Sequence, residues 1–275
     1  MPDHAPSLLS GRTTPVWART AYSADTATGV LAAAEEENRD VILLVSAKMF
    51  ASSRGRSLVR CLRTLADDAH VTAHVQLDHV SNTDAVAAAF AAGAHAVMAD
   101  GSRMSFEENI AFVRRAVATA RTHSGWVEAE LGALPGDEDI ATNARPSPDS
   151  HTSPRLVAEF VERSGASCLA VAFGNLHGTY AEPPRLDWDL LTELVAASAV
   201  PLSLHGASGI PADDVRRAVR AGIRKINVNT ELRERCIEDL AAGLGAARRG
   251  YDVMSLMRDM SAGAADVARS KFATA

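Results

Sequence analysis

Three histidines in this chain each close an apolar run. VTAHVQLDHV closes on Asp78-His79, LAVAFGNLHGTY carries His177-Gly178, and VPLSLHGASG carries His205-Gly206. A lone histidine at such a point is ordinarily a polar loop residue. Three with the same signature, among nine histidines in all, point to a shared task. Three neutral imidazoles with one position left open make a catalytic zinc site. Each such imidazole needs its second ring nitrogen held. Glu130, near the end of WVEAEL, is the candidate for that role or for an alternate ligand, with a satisfied carboxylate at the barrel mouth as the plain alternative. Asp78, next to a ligand, stays ionised beside a divalent cation unless it is placed to carry a proton. After His205, Gly206-Ala207-Ser208-Gly209 leads into a helical pattern, and such a turn can offer backbone N–H groups to a phosphate.

These residues can act together only if the ends of their strands converge. Eight strand-like runs stand in order: Val16–Tyr22, Val41–Ser46, Val71–Asp78, His95–Ala99, Trp126–Leu131, Cys168–Phe173, Val200–His205 and Ile223–Val228. Helical patterns separate most of them, among them Asp25–Asn38, Leu58–Asp67, Thr83–Ala92, Phe106–Thr122, Arg155–Ser164 and Trp188–Ala197. The phrase "apolar helix end, glycine, strand" recurs as AAGAHAVM, RSGASCLAV and RAGIRKINV, the punctuation of a helix C-cap followed by a buried strand. Residues 1–275 are therefore read as a single (β/α)8 TIM barrel with its site at the C-terminal ends of the strands and extra C-terminal helices over about 231–275. A doubly wound open sheet is the second choice, and it lacks a Gly-x-Gly-x-x-Gly after the first strand. In the third strand, Asp78 facing inward turns Gln76, His74 and Thr72 inward too, and His79 begins the loop. The stretch of about 132–153, rich in proline and without periodicity, reads as a lid and carries Asp137, Glu138 and Asp139.

Composition excludes several classes. Of 275 residues 47% are apolar and 23% charged, ample for a large core. A net charge of −6, with no basic run or aromatic platform, argues against nucleic-acid binding. No apolar run is long enough to span a membrane and no secretory signal opens the chain, so a cytoplasmic enzyme is expected. Cys61, Cys168 and Cys236 are widely spaced and read as free thiols.

The segments LDH (77–79), DGSRMSFEENI (100–110), VEAELG (127–132), LAVAFGNLHGTY (169–180), LSLHGASGIP (202–211) and KINVNTEL (225–232) resemble the motifs of the class II, zinc-dependent ketose-bisphosphate aldolases such as the fructose- and tagatose-bisphosphate enzymes. The resemblance covers residues 40–240. It implies a dimeric or tetrameric (β/α)8 barrel. It also implies a lyase that makes or cleaves the bond between dihydroxyacetone phosphate and an aldehyde through a metal-stabilised enediolate. By that resemblance His79, His177 and His205 bind Zn2+ or another divalent metal, and Asp78 protonates the aldehyde oxygen on cleavage. Glu138 handles the C3 proton of dihydroxyacetone phosphate. Gly178, Gly206, Ser208, Asn229 and Thr230 hold the phosphate, with a monovalent cation near them; Asn227 contacts the ketone-bearing half and Ser46 faces the substrate. The three lysines, Lys48, Lys225 and Lys271, show no partner that would activate an amine for a Schiff base.

The chain also departs from that pattern. Tyr22-Ser23-Ala24 stand where Phe-Asn-Val is usual, Gln76 where histidine is common, Pro135 at the first of two lid glycines, and Asn229 where some members have aspartate. These changes leave the metal ligands intact, and those at Tyr22-Ser23, Gln76 and Pro135 fall on the aldehyde side, which points to a paralogue with a different aldehyde. A metal-dependent hydrolase on the same barrel is the second reading; the first strand lacks the His-x-His pair it would use. A non-catalytic aldolase-like subunit is the third, and the complete set Asp78, His79, Glu138, His177 and His205 argues against it.

Overall fold

The computed structural model describes residues 7–134, 150–178, 180 and 184–274. Eight parallel strands close into a barrel: β1 (Val16–Thr20), β2 (Val41–Ser46), β3 (Ala73–Val80), β4 (Ala96–Ala99), β5 (Trp126–Leu131), β6 (Cys168–Val171), β7 (Leu202–Leu204) and β8 (Ile223–Val228). Each pairs with the next, and β8 returns to β1 through Val16–Lys225 to Arg19–Val228. Around them run α1 (Ala24–Glu36), α2 (Ala47–Phe50), α3 (Ser53–Asp68), α4 (Thr83–Ala91), α5 (Phe106–Arg121), α6 (Pro154–Ser164), α7 (Trp188–Ala197) and α8 (Ala212–Ala221). The expected tail is two helices, α9 (Thr230–Gly250) and α10 (Val253–Phe272). No described helix is long and apolar enough to cross a membrane.

Two boundaries differ from expectation for local reasons. Helix α3 begins at Ser53, not Leu58, because Ser52 caps it by accepting the Gly55 N–H at 3.0 Å. Gly55 lies so near Met49 that a Cβ there would meet its carbonyl oxygen at 1.9 Å. The polar start SRGRS thus coils by capping and close approach, without apolar periodicity. Strand β3 runs on through Val80, so His79 lies inside it and not in a loop, while Thr72 stays outside the strand and exposed.

The inward residues change character from floor to mouth. At the floor Leu9, Val16, Ala18, Ile42, Leu44, Ala96, Trp126 and Cys168 form a dry cluster. Above it a polar layer of Gln76, Glu128, Ser203 and Lys225 is fully buried. Asp78, Glu130, His205 and Asn227 come next, at the mouth. Beside the floor His74 and His95 stack with ring centroids 4.5 Å apart. The Trp126 indole N–H donates to His74 Nδ1 and the Val75 N–H to His95 Nδ1, both at 3.0 Å.

Outward-facing residues pack on the helices. Helix α1 lies against α10, with Gly29 so close that a Cβ would meet the Ser261 carbonyl oxygen at 2.0 Å. Arg19, one residue before the end of β1, is wholly buried between the rings of Trp17 and Phe272, at 5.2 and 5.8 Å from their centroids.

Candidate metal centre and anion cradle

The three strand-end histidines converge. Ring centroids lie 5.0 Å apart for His79 and His177, 5.3 Å for His79 and His205, and 5.8 Å for His177 and His205. Glu130 joins them, and the ligand atoms of these four residues all lie within 4.8 Å of one another. His79 reaches this point through backbone geometry: its φ is +50° and the β3–β4 register shifts between Leu77 and Val80, a bulge that turns the side chain over the mouth. The donor set fits a divalent cation. Glu130 is 2% exposed and its Oε2 has no hydrogen-bond partner. Burial, then the charge of Asp100, pushes its carboxyl up to about 7 despite the nearby imidazoles. A buried acid short of counter-charge beside three imidazoles is the environment a cation completes.

Two carboxylates outside this quartet fix ring orientations. Asp100 Oδ2 faces His79 Nδ1 at 2.9 Å, while its Oδ1 accepts the Ser102 backbone N–H and hydroxyl. Burial opposes its charge, but the hydrogen bonds of His79 and Ser102 hold the carboxyl well below the usual range. Glu128 Oε1 faces His205 Nε2 at 2.9 Å, while its Oε2 receives Lys225 Nζ at 2.6 Å and Gln76 Nε2 at 2.5 Å. The Ser203 hydroxyl donates to Glu128 as well. Burial would raise this acid, yet the charges of Lys225 and His205 outweigh it and keep the carboxyl far below its ordinary value. Glu128 was legible only as the second inward acid of WVEAEL, two residues before Glu130. Lys225 also donates to Asn227 Oδ1 at 2.7 Å; burial opposes its charge, but Glu128 and Asp78 together raise the ammonium above its ordinary value. Its partners make it an ion-pair lysine, unsuited to Schiff-base chemistry.

Next to the histidines lies a cleft lined by Thr20, His177, Gly178, Gly206, Ser208, Asn227, Asn229 and Thr230 among others. It contains every residue expected at the phosphate and, among the described residues, no lysine or arginine. Glycines are required here: Gly178 has φ +92° and Gly206 +65°, and a Cβ at Gly206 would meet the Leu176 carbonyl oxygen at 1.8 Å. Tyr180 donates to the Gly206 carbonyl at 3.0 Å and accepts the Leu176 N–H at 3.1 Å, tying the two His-Gly loops together. Asn175, not singled out from the sequence, donates to the His205 carbonyl at 3.1 Å. Ser208 Oγ accepts the N–H groups of Asn229 and Thr230 at 3.2 and 3.1 Å, so its first task is to align the start of α9.

The wider mouth is a cavity of about 410 Å³ reached by Ser46, Lys48, His79, Asp100, Arg103, Glu130 and His177. Ser46 caps α2 by accepting the Met49 N–H at 3.3 Å. Asp78, 1% exposed, directly precedes His79 in β3. Two of the unusual residues meet: the Tyr22 hydroxyl donates to Asn229 Oδ1 at 2.5 Å. Glu138, Pro135 and most of the expected lid lie outside the described residues; its near end, Gly132, turns with φ +89°. The three cysteines are free.

Comparison with known proteins agrees with this geometry. The family described as fructose-bisphosphate aldolase class-II matches residues 11–275. A probable fructose-bisphosphate aldolase of Bacillus subtilis (strain 168) is 38% identical over 228 residues, 81% of this chain and 78% of that protein. A fructose-bisphosphate aldolase of Geobacillus stearothermophilus is 38% identical over 205 residues, 74% of this chain and 70% of that protein. Among solved structures, the YdjI aldolase from Escherichia coli K12 superposes with a TM-score of 0.84 at 29% identity, covering 97% of this chain and 93% of that one.

Proposed function

Because the chain belongs to the class II fructose-bisphosphate aldolase family and is thus a carbon–carbon lyase, we propose that its donor substrate is dihydroxyacetone phosphate or a close analogue. The observation that carries this is the quartet His79, Glu130, His177 and His205 beside a cradle for one anion at the same barrel mouth. A divalent cation held there, zinc by the donor set, would supply Lewis-acid polarisation of the donor carbonyl. The cradle, with Gly178, Gly206, Asn229 and Thr230, fixes the phosphate and so orients the carbon to be deprotonated. A monovalent cation beside the cradle is part of this proposal. Glu138 takes and returns the C3 proton. Asp78 gives a proton to the aldehyde oxygen as the carbon–carbon bond breaks. Asn227, fixed by Lys225, faces the ketone-bearing half, and Ser46 faces the substrate.

The aldehyde differs from that of a glycolytic enzyme. The support is the segment Tyr22-Ser23, where a serine replaces an asparagine and the Tyr22 hydroxyl is turned to Asn229 Oδ1 at 2.5 Å. A removed hydrogen-bonding group no longer selects for the hydroxyl it bound. The chains assemble as a homodimer or homotetramer, a reading supported by exposed Ile237, Leu244, Tyr251, Val253 and Met254 on α9 and α10.

The test is twofold. The metal-loaded enzyme should exchange the C3 hydrogen of dihydroxyacetone phosphate with deuterated solvent, and the exchange should fall about 10²–10⁴-fold in Glu138→Gln. No exchange by the wild type would sink the donor assignment. Steady-state kinetics over several ketose phosphates decide the aldehyde. A kcat/KM for fructose 1,6-bisphosphate of about 10⁵ M⁻¹s⁻¹ or more, above every other substrate tried, would overturn the claim of a different aldehyde.

A further inference from the structure

Among the described residues the anion cradle is lined without a lysine or arginine, yet it is expected to hold a phosphate dianion. Charge lies directly behind it. Glu231, the residue after Thr230, accepts the Gly209 N–H at 3.3 Å, and Gly209 follows Ser208; the carboxylate therefore clasps both chain segments that form the cradle. The same oxygen, Glu231 Oε1, receives Lys271 Nζ from the last turn of α10 at 2.6 Å. Both side chains are largely enclosed, 27% and 21% exposed. Arg19, adjacent to the cradle residue Thr20, is wholly buried, and its three guanidinium nitrogens have no hydrogen-bond partner among the described residues. Burial lowers its guanidinium to about 10, which leaves it charged at neutral pH, and the charge of Glu231 opposes that lowering.

We propose that Arg19, Glu231 and Lys271 are positioning residues that supply the anion cradle with a net positive charge from behind. Two cations and one carboxylate sum to +1. Glu231 fastens the loop Ser208-Gly209 to the start of α9, but its own charge would repel a phosphate. Lys271 offsets that charge, and Arg19 adds the surplus. The end of the C-terminal helix is thus a functional part of the donor site. The burial of Arg19 explains why the arrangement is durable: an unpaired guanidinium held between two aromatic rings cannot swing away to solvent.

The inference rests on the donor reading above, and its test separates the two. Binding of inorganic phosphate to the metal-loaded protein is measured by titration calorimetry at fixed monovalent salt. Affinity should follow the charge of the triad: Glu231→Gln (+2) at or above wild type, Glu231→Gln/Lys271→Met (+1) within about twofold of wild type, and Lys271→Met (0) weaker by on the order of tenfold. Lys271→Arg should bind as the wild type does. In turnover, Lys271→Met should raise KM for dihydroxyacetone phosphate while leaving kcat and the use of unphosphorylated dihydroxyacetone unchanged, a split that a merely loosened helix would not give. No phosphate binding by the wild type would overturn the proposal. So would unchanged affinity in Lys271→Met, or no recovery in the double variant. If the affinities follow the order but the wild type exchanges no C3 hydrogen, the donor reading fails and the charge device stands.

Discussion

Acid should weaken the barrel at its floor, where His74 and His95 stack. Each Nδ1 already accepts an N–H, from Trp126 and from Val75, so a second proton on either ring would point a donor at a donor. Burial first, then Arg63 and Arg12 against Asp40, lowers His74 to about 4; burial, then His74 and Arg63 against Asp67, lowers His95 to about 4. Both values lie below the ordinary 6.5, so the unfolded chain takes up these protons first as the pH falls. Stability is therefore full above about pH 6.5 and is lost progressively down to about pH 4. Between pH 7 and pH 5 an enclosed ring with this shift costs about 1.8 kcal/mol. With allowance for the solvent that reaches His95, which is 17% exposed, the pair costs about 2–3 kcal/mol. Urea unfolding at the two pH values, with chelator present so that metal loss does not contribute, gives the number. His95→Gln should lose about half as much as the wild type. Equal losses in the two proteins would refute the assignment of these rings as the acid-sensitive groups.

Two further outcomes follow from the polar layer and the mouth. Lys225→Met leaves Glu128 ionised and uncompensated, and should cost about 3–5 kcal/mol in urea unfolding; Glu128→Gln/Lys225→Met should recover most of it, and no recovery would show that the pair is not what the lysine serves. Each of His79→Ala, His177→Ala and His205→Ala should abolish stoichiometric metal while the chain stays folded, and Glu128→Gln should weaken metal affinity about 10–100-fold by loosening His205; chelator-competition titrations check both, and retained affinity would break the assignment.

The sequence announced the three converging histidines because each sits where two periodicities meet, an apolar strand run ending against a turn. The same punctuation located all eight strands to within a few residues. What stayed hidden was pairing across the barrel. Glu128 and Lys225 lie 97 residues apart, and nothing local to either says that the other neutralises it. His79 was expected in a loop because alternation cannot foresee a bulge; the strand simply continues past it with one residue at positive φ. His74 and His95 showed no motif because their partners are an indole two strands away and a backbone N–H on the neighbouring strand. The departures at Tyr22 and Asn229 were visible singly, 207 residues apart, but their mutual bond was not.

The contact of α1 with α10 sets a timetable for synthesis. Gly29 meets Ser261, and Arg19 finds one of its two ring walls in Phe272. Strand β1 likewise lacks one neighbour until β8 exists. With 5–20 residues added per second, α1 leaves the ribosome roughly 10–40 s before α10 does. Through that interval Val30, Leu31 and Ala34 have no complete surface to bury against, and an arginine destined for a dry slot is still in water. Until β8 pairs with β1 the nascent barrel is an open sheet with two unpaired edges, exposed to aggregation. Slowing translation of the last sixty codons should therefore cost more soluble protein than slowing any earlier stretch of equal length.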